Sequence, residues 1–299
     1  MWVSGENLRD ALGPSPAGVE LAALPRDAAQ APDVDRVEVL VPAEAPDPLA
    51  ELLPHMGGLR LIQVLSAGVD WIEGLTPAGV TLCNARGSRD VAVAEWVLAA
   101  ILHHTQDLAR ADAQRRDGAW EPWSPGELAG STVLVVGHGA IGRALERRLT
   151  AMDVEVIGLA RRPRDGVRGL EELDSLLPGA DVVVLLAPLT AQSRRMADAT
   201  FLEAMRPGAL LVNAGRGGLV DTDALVAALH ADRVYAALDV TDPEPLPSGH
   251  PLWSAPNLML TPHHAGDTPQ AHERAVRIVR EQLGRYARGE PLANVVATA

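Results

Sequence analysis

The sequence predicts an α/β fold built on parallel sheets, and three observations carry that reading. Short, continuously apolar, β-branched runs recur along the chain; Thr132-Val133-Leu134-Val135-Val136 and Asp181-Val182-Val183-Val184-Leu185-Leu186 read as strands buried on both faces. Helical segments alternate with these runs, as expected of βα units. One strand also ends in Gly137-His138-Gly139-Ala140-Ile141-Gly142 and leads directly into a helical stretch over 143–149.

Taken in order, strands are expected at Met1-Trp2-Val3, Val19-Glu20-Leu21, Val37-Glu38-Val39-Leu40-Val41, Leu61-Ile62-Gln63-Val64-Leu65 and Val80-Thr81-Leu82. A helix over 48–56 falls among them, with Pro48 where a first-turn proline is tolerated. The segment 90–117 has few breakers, and Val93, Val97, Leu98, Ile101, Leu102 and Leu108 recur at helical spacing. One long connecting helix is therefore expected. After the Gly-rich turn the alternation resumes with strands at 154–159, 181–186, 209–213, 234–240 and 258–260. Thr200, with Glu203 three residues on, is expected to cap a helix over 200–205. Asp221 is expected to cap another over 222–231, and 269–288 is the C-terminal helix.

Composition narrows the function classes. A chain of 299 residues can bury two domain cores. A formal charge of −13 disfavours nucleic acid or an anionic membrane surface as partner. Lysine is absent, which excludes Schiff-base lysine chemistry and a lysine-bearing P-loop. The lone Cys83 cannot pair internally, and the N-terminal residues carry Glu6, Arg9 and Asp10 where a signal peptide would have an apolar core. The apolar run 92–102 is too short to span a bilayer and contains Glu95. A cytoplasmic location is expected. His103 and His104 are adjacent on a helix and face different directions, so no metal site is assigned to them or elsewhere.

The strand, G-x-G-x-x-G turn and helix form a recipe for a dinucleotide pyrophosphate. Glycines permit a tight turn and close backbone approach, and the helix N-terminus turns unpaired N–H groups toward phosphate. At the end of the next strand an acidic residue would favour NAD by accepting bonds from the ribose hydroxyls. The chain instead has Ala160-Arg161-Arg162-Pro163. Two guanidinium groups suit a 2′-phosphate, so NADP is the preferred cofactor and NAD the alternative.

Arg216, Glu244 and His263 fall at or just beyond strand ends, the edge at which α/β sheets hold ligands. Singly, each has a plain reading as a loop charge or a structural histidine. Together they supply a proton for carbonyl reduction, a cation for the oxyanion and carboxylate, and a carboxylate to hold the imidazolium. Ser66-Ala67-Gly68-Val69-Asp70 also follows a strand, and locally it reads as a β-to-α turn.

The whole chain resembles the D-2-hydroxyacid dehydrogenase family, particularly glyoxylate and hydroxypyruvate reductases. The resemblance is carried by Ser66-Ala67-Gly68-Val69-Asp70, Val93-Ala94-Glu95, the Gly-rich turn and Ala187-Pro188-Leu189-Thr190. It continues through Asn213-Ala214-Gly215-Arg216-Gly217, Leu238-Asp239-Val240, Glu244-Pro245, His250-Pro251-Leu252-Trp253, Pro256-Asn257 and Thr261-Pro262-His263. It implies two Rossmann-like domains with a cleft between them. A flavodoxin-like substrate domain would comprise 1–90 and 268–299, and an inserted dinucleotide-binding domain 91–267. It further implies that Arg216 binds the substrate carboxylate and reacting oxygen, that His263 protonates that oxygen, and that Glu244 keeps His263 charged. Ala67, Gly68 and Val69 would hold the carboxylate, which reverses the plain-turn reading. The cofactor would lie against Gly137, His138, Gly139, Ala140, Ile141, Gly142, Arg161, Arg162, Ala187, Pro188, Ala214, Gly215, Asp239, His263 and Gly266. Asp239 would stand near the nicotinamide amide, and members are commonly homodimers.

The implied reaction is hydride transfer between NAD(P)H and the 2-oxo carbon of a small 2-oxo acid, giving the D-2-hydroxy acid. The alternatives are a phosphoglycerate dehydrogenase, with Arg86 or Arg89 meeting the phosphate, and a cofactor-sensing corepressor-like regulator. The resemblance takes up the whole chain, so the regulatory domain of some phosphoglycerate dehydrogenases is expected to be absent. A glutamate opposite the histidine argues against the formate dehydrogenase branch. His264 and Thr241 stand where the family usually has an aliphatic and an aromatic residue.

Overall fold

The computed structural model describes residues 1–25, 27–43 and 46–297. In chain order the elements are β1 (Trp2–Val3), α1 (Gly5–Leu12), β2 (Ala22–Ala23), β3 (Val39–Val41), α2 (Pro46–Leu52), β4 (Leu61–Gln63) and β5 (Thr81–Cys83). There follow α3 (Asp90–Thr105), α4 (Leu108–Asp117), β6 (Thr132–Val136), α5 (Ala140–Thr150), β7 (Glu155–Ala160), β8 (Val167–Gly169) and α6 (Leu173–Leu176). The chain closes with β9 (Val182–Leu185), α7 (Ala199–Ala204), β10 (Leu210–Asn213), α8 (Thr222–His230), β11 (Tyr235–Leu238), β12 (Leu258–Leu260), α9 (Pro269–Ala287) and β13 (Val295–Ala297).

These elements form two compact units, one of Met1–Arg89 with Thr268–Ala299 and the other of Asp90–Asp267. The first holds a six-stranded sheet ordered β13-β5-β4-β3-β1-β2, parallel except where β13 runs antiparallel to β5. Its β2-β1-β3-β4-β5 portion has the flavodoxin-like order. The second holds a seven-stranded parallel sheet, β12-β11-β10-β9-β6-β7-β8. That order reverses between β6 and β9, the crevice where doubly wound sheets bind ligands. Val133, Leu134, Val135 and Val136 on β6 are fully buried, because helices cover both faces of the sheet.

Several local expectations are corrected. The helix expected over 90–117 is two helices, broken at Asp107. That residue is left-handed (φ 47°) and caps α4, its carboxylate accepting from Arg110 N at 3.4 Å. Aspartate tolerates this conformation, and its side chain competes for backbone donors. The strand expected at 19–21 forms instead as β2, which pairs with β1. Helix α7 is capped by Asp198, which accepts from Phe201 N at 2.9 Å, while Glu203 turns to Arg233. Asp221 caps α8 as expected. Strands β8 and β13 were not anticipated; each is a short edge strand too brief to show a period.

His104 packs against the Tyr235 ring, with centroids 4.5 Å apart, and burial lowers its pKa. Among the described residues no group of His, Cys, Asp and Glu could hold a metal, and no helix is long and apolar enough to cross a membrane.

Cys83 is fully buried on β5, and desolvation pushes its thiol up to about 11, against a weaker opposing hydrogen bond with Gln282. The native protein is therefore expected to resist a disulfide-forming thiol reagent at pH 8 and to react once unfolded in urea. Rapid labelling without denaturant would contradict the buried placement.

Candidate active site

The Gly-rich turn leaves β6 with Gly137 at φ 100°, a conformation that favours glycine. A Cβ there would lie 2.4 Å from Ala187 N, so the turn packs directly on the backbone that leaves β9. Gly137 N and His138 N both donate to Leu159 O at 2.9 Å, tying the turn to β7. Gly139 is open: a Cβ would meet only Gly137 O, at 4.0 Å. The first turn of α5 leaves the amides of Ala140 and Ile141 without intrahelical partners. This is a cradle that fits a pyrophosphate, with space above Gly139 and donors beside it. Gly142 is buried against Val135, while Arg161 and Arg162 are exposed beyond β7.

Pro188 follows Ala187, its carbonyl accepting from Ser193 Oγ at 2.8 Å. Next along the edge, β10 ends in Asn213, whose buried amide braces the following turn. Its Oδ1 accepts from Gly215 N at 3.1 Å and its Nδ2 donates to Arg216 O at 2.9 Å. Ala214 and Gly215 line this turn, and the half-buried Arg216 donates from Nη1 to Gly215 O at 2.8 Å. Asn213 carried no role in the sequence reading; a buried amide at a strand end was the available signal.

His263 stands on the turn after β12 with φ 52°, uncommon for a side chain other than glycine and typical of sites where surrounding structure enforces the backbone. Its amide donates to Asp239 O at 2.7 Å. Its Nδ1 lies 2.5 Å from Glu244 Oε1, a charge-assisted pair that leaves Nε2 for another partner. Both residues remain partly exposed, at 45% and 39% of the side chain. Glu244, Thr241, Asp239, Trp253 and Leu260 line, with His263, a cavity of about 460 Å³. A larger cavity of about 910 Å³ lies at the opposite end of the sheet, where β9 to β12 begin, away from these residues.

Asp239, expected from resemblance to stand near a nicotinamide amide, directly follows β11 and braces the neighbouring loop. It is 3% exposed, and its carboxylate accepts from Thr261 Oγ1 at 2.6 Å, His264 N at 2.9 Å and Ala265 N at 3.0 Å. It holds the loop that carries His263. Gly266 is buried immediately beyond, whereas His264 is exposed. Thr241 turns its hydroxyl to Pro243 O at 2.8 Å.

In the other unit, the loop after β4 is held by Asn84, whose Nδ2 donates to Ala67 O at 2.7 Å, and by Ser66 Oγ, which donates to Gly68 O at 2.8 Å. Trp71 Nε1 donates to the same hydroxyl at 3.3 Å. With the carbonyls of Ala67 and Gly68 engaged, the loop's amides are the groups left to meet an anion. Asn84 was likewise not singled out from sequence.

Residues 98–265 match the model of the D-isomer specific 2-hydroxyacid dehydrogenase NAD binding domain. The chain is 35% identical over 256 residues to a glyoxylate reductase of Thermofilum pendens, covering 81% of this chain and 76% of the relative. It is 31% identical over 275 residues to a D-3-phosphoglycerate dehydrogenase of Archaeoglobus fulgidus, covering 88% of this chain but only 52% of that protein. The crystal structure of an NADPH-dependent glyoxylate/hydroxypyruvate reductase from Sinorhizobium meliloti, in complex with NADP and sulfate, superposes with a TM-score of 0.85. The two are 29% identical, over 99% of this chain and 98% of that one. A Gly-rich cradle and a histidine–glutamate pair on one sheet edge, in a chain so matched, have one family in common: this protein belongs to the D-isomer specific 2-hydroxyacid dehydrogenases, a family of NAD(P)-dependent oxidoreductases.

Proposed function

We propose that the protein is an NADPH-dependent reductase of small 2-oxo acids, glyoxylate or hydroxypyruvate, that yields the D-2-hydroxy acid. The observation that carries this reading is the 2.5 Å pairing of His263 Nδ1 with Glu244 on the edge that also bears the Gly-rich cradle. The substrate class follows the relatives named glyoxylate reductase, at 35% and 34% identity, and the cofactor follows Arg161 and Arg162.

In this reading the amides of Ala140 and Ile141 hold the pyrophosphate, and Arg161 and Arg162 take the 2′-phosphate. Ala187, Pro188, Ala214, Gly215 and Gly266 line the remainder of the dinucleotide's path. When bound, the nicotinamide supplies hydride. Arg216 binds the substrate carboxylate and draws electron density onto the 2-oxo oxygen. His263 carries its reactive proton on Nε2 and delivers it to that oxygen. Glu244, accepting from Nδ1–H, fixes the ring and stabilises the cation that precedes transfer. Asp239 acts through the loop, keeping His263 in its left-handed backbone position.

The test is loss of reduced-nicotinamide absorbance with glyoxylate and hydroxypyruvate, run with NADPH and NADH in parallel. Rapid oxidation of NADPH over NADH is the expected result. Preference for NADH would keep the reaction class and refute the 2′-phosphate role of the arginines. A second reading, phosphoglycerate dehydrogenase, has the 31% identical relative in its favour, although the chain spans about half of that protein's length (52%). Oxidation of 3-phosphoglycerate, with no turnover of the smaller acids, would establish it instead.

A further inference from the structure

We propose that Arg164 is a positioning residue for cofactor selection: latched to the Gly-rich turn through His138, it holds the 161–166 loop so that Arg161 and Arg162 meet a ribose 2′-phosphate. The proposal rests on the NADPH reading above. Beyond β7 the chain turns back in a tight loop, closed by a reciprocal backbone pair. Arg164 N donates to Val167 O at 3.0 Å, and Val167 N donates to Arg164 O at 2.8 Å. Gly166 completes the turn at φ 74°. From this loop the Arg164 guanidinium reaches across to the Gly-rich turn, donating to His138 O and lying 3.4 Å from His138 Nδ1.

His138 is built to receive it. The residue is 4% exposed, and its ring packs directly on β7: a Cβ on Gly158 would stand 2.6 Å from His138 Cδ2. On the far side its Nε2 is 3.0 Å from Glu146 Oε2 on α5. The imidazole thus sits between a guanidinium and a carboxylate, an arrangement served by a proton on Nε2 and a lone pair on Nδ1. The cradle helix, the turn and the arginine loop are joined in one ladder, Glu146 to His138 to Arg164. Arg161 and Arg162 project from the loop so fastened. Two long cationic side chains on an unfastened loop would have to be ordered at the moment of binding, and pre-ordering the loop removes part of that cost. A nucleotide without a 2′-phosphate does not use these arginines and gains nothing from the latch.

The test is calorimetric titration of the full chain with adenosine 2′,5′-bisphosphate and with 5′-AMP, which separates cofactor selection from turnover. Wild type is expected to prefer the bisphosphate. Arg164→Ala should weaken the bisphosphate by about 5–20-fold and 5′-AMP by less than about 2-fold, on the scale of side chains ordered at an interface. Gly158→Ala, which displaces the His138 ring with all three arginines present, should reproduce the selective loss. Should that variant fail to fold, Glu146→Ala serves the same purpose from the helix side. A wild-type preference that survives in Arg164→Ala would overturn the latch alone and leave the NADPH reading intact. Equal wild-type affinity for both nucleotides would overturn that reading, and the latch with it. Loss in Arg164→Ala without loss in either His138-directed variant would show Arg164 contacting phosphate itself and refute the positioning role.

Discussion

Replacing His263 with alanine is expected to lower the rate of 2-oxo acid reduction by roughly 10²–10⁴-fold, the range for losing a positioned general acid. With Nδ1 engaged by Glu244 at 2.5 Å, Nε2 is the ring nitrogen left to carry a proton to substrate. Among the described residues, no other titratable side chain lines the cavity except Glu244 and Asp239, and Asp239 is spent on Thr261, His264 and Ala265. The loss should fall on kcat, with NADPH affinity nearly unchanged, because the cradle amides and Arg161 lie elsewhere on the edge. Glu244→Gln should give a smaller loss, since the amide can still accept from Nδ1–H but no longer offsets the imidazolium charge. Stopped-flow oxidation of NADPH with glyoxylate measures both variants. Turnover near wild type in His263→Ala would remove the histidine from the chemistry.

Gly217→Ala is expected to be the most damaging single-methyl change at the site. A Cβ on Gly217 would fall 1.8 Å from Thr241 O and 2.1 Å from its carbonyl carbon, so the Arg216 turn lies backbone against backbone on the segment leading to Glu244. Neither partner is a flexible side-chain end, and one segment must move. Overpacking of this kind costs about 1–3 kcal/mol or more. A displacement of the order of 1 Å between Arg216 and the Glu244–His263 pair carries roughly a 10²-fold loss of rate. The expected result is a lower thermal midpoint together with a kcat reduced at least about tenfold. An unchanged midpoint and kcat would show that the two loops are not in the contact described.

The strands and the cradle were legible in the sequence because they obey local rules. Buried parallel strands need unbroken apolar residues, so β6 and β9 could be read from valine and leucine alone. The Gly137 turn could be read because glycine is demanded wherever the chain turns so tightly. Arg216, Glu244 and His263 could be picked out as candidates because together, beyond strand ends, they offer a cation for an oxyanion, a proton donor and a carboxylate to hold it. Sequence pattern does not encode what those side chains bind at long range. Only the tertiary structure brings Glu244 onto His263, commits Asp239 to the loop rather than to open space, and seats Asn213 and Asn84 beneath the turns they brace. The same holds for edge strands β8 and β13, whose few residues become strands because a neighbour offers an unpaired ladder. His138 makes the point most sharply. In sequence it is the variable residue of a Gly-rich turn, and in the fold it is a buried hub between Glu146 and Arg164. Local conformation follows from each residue's own sterics and hydrophobicity. Pairings between residues far apart in the chain exist only once the sheet order has been set.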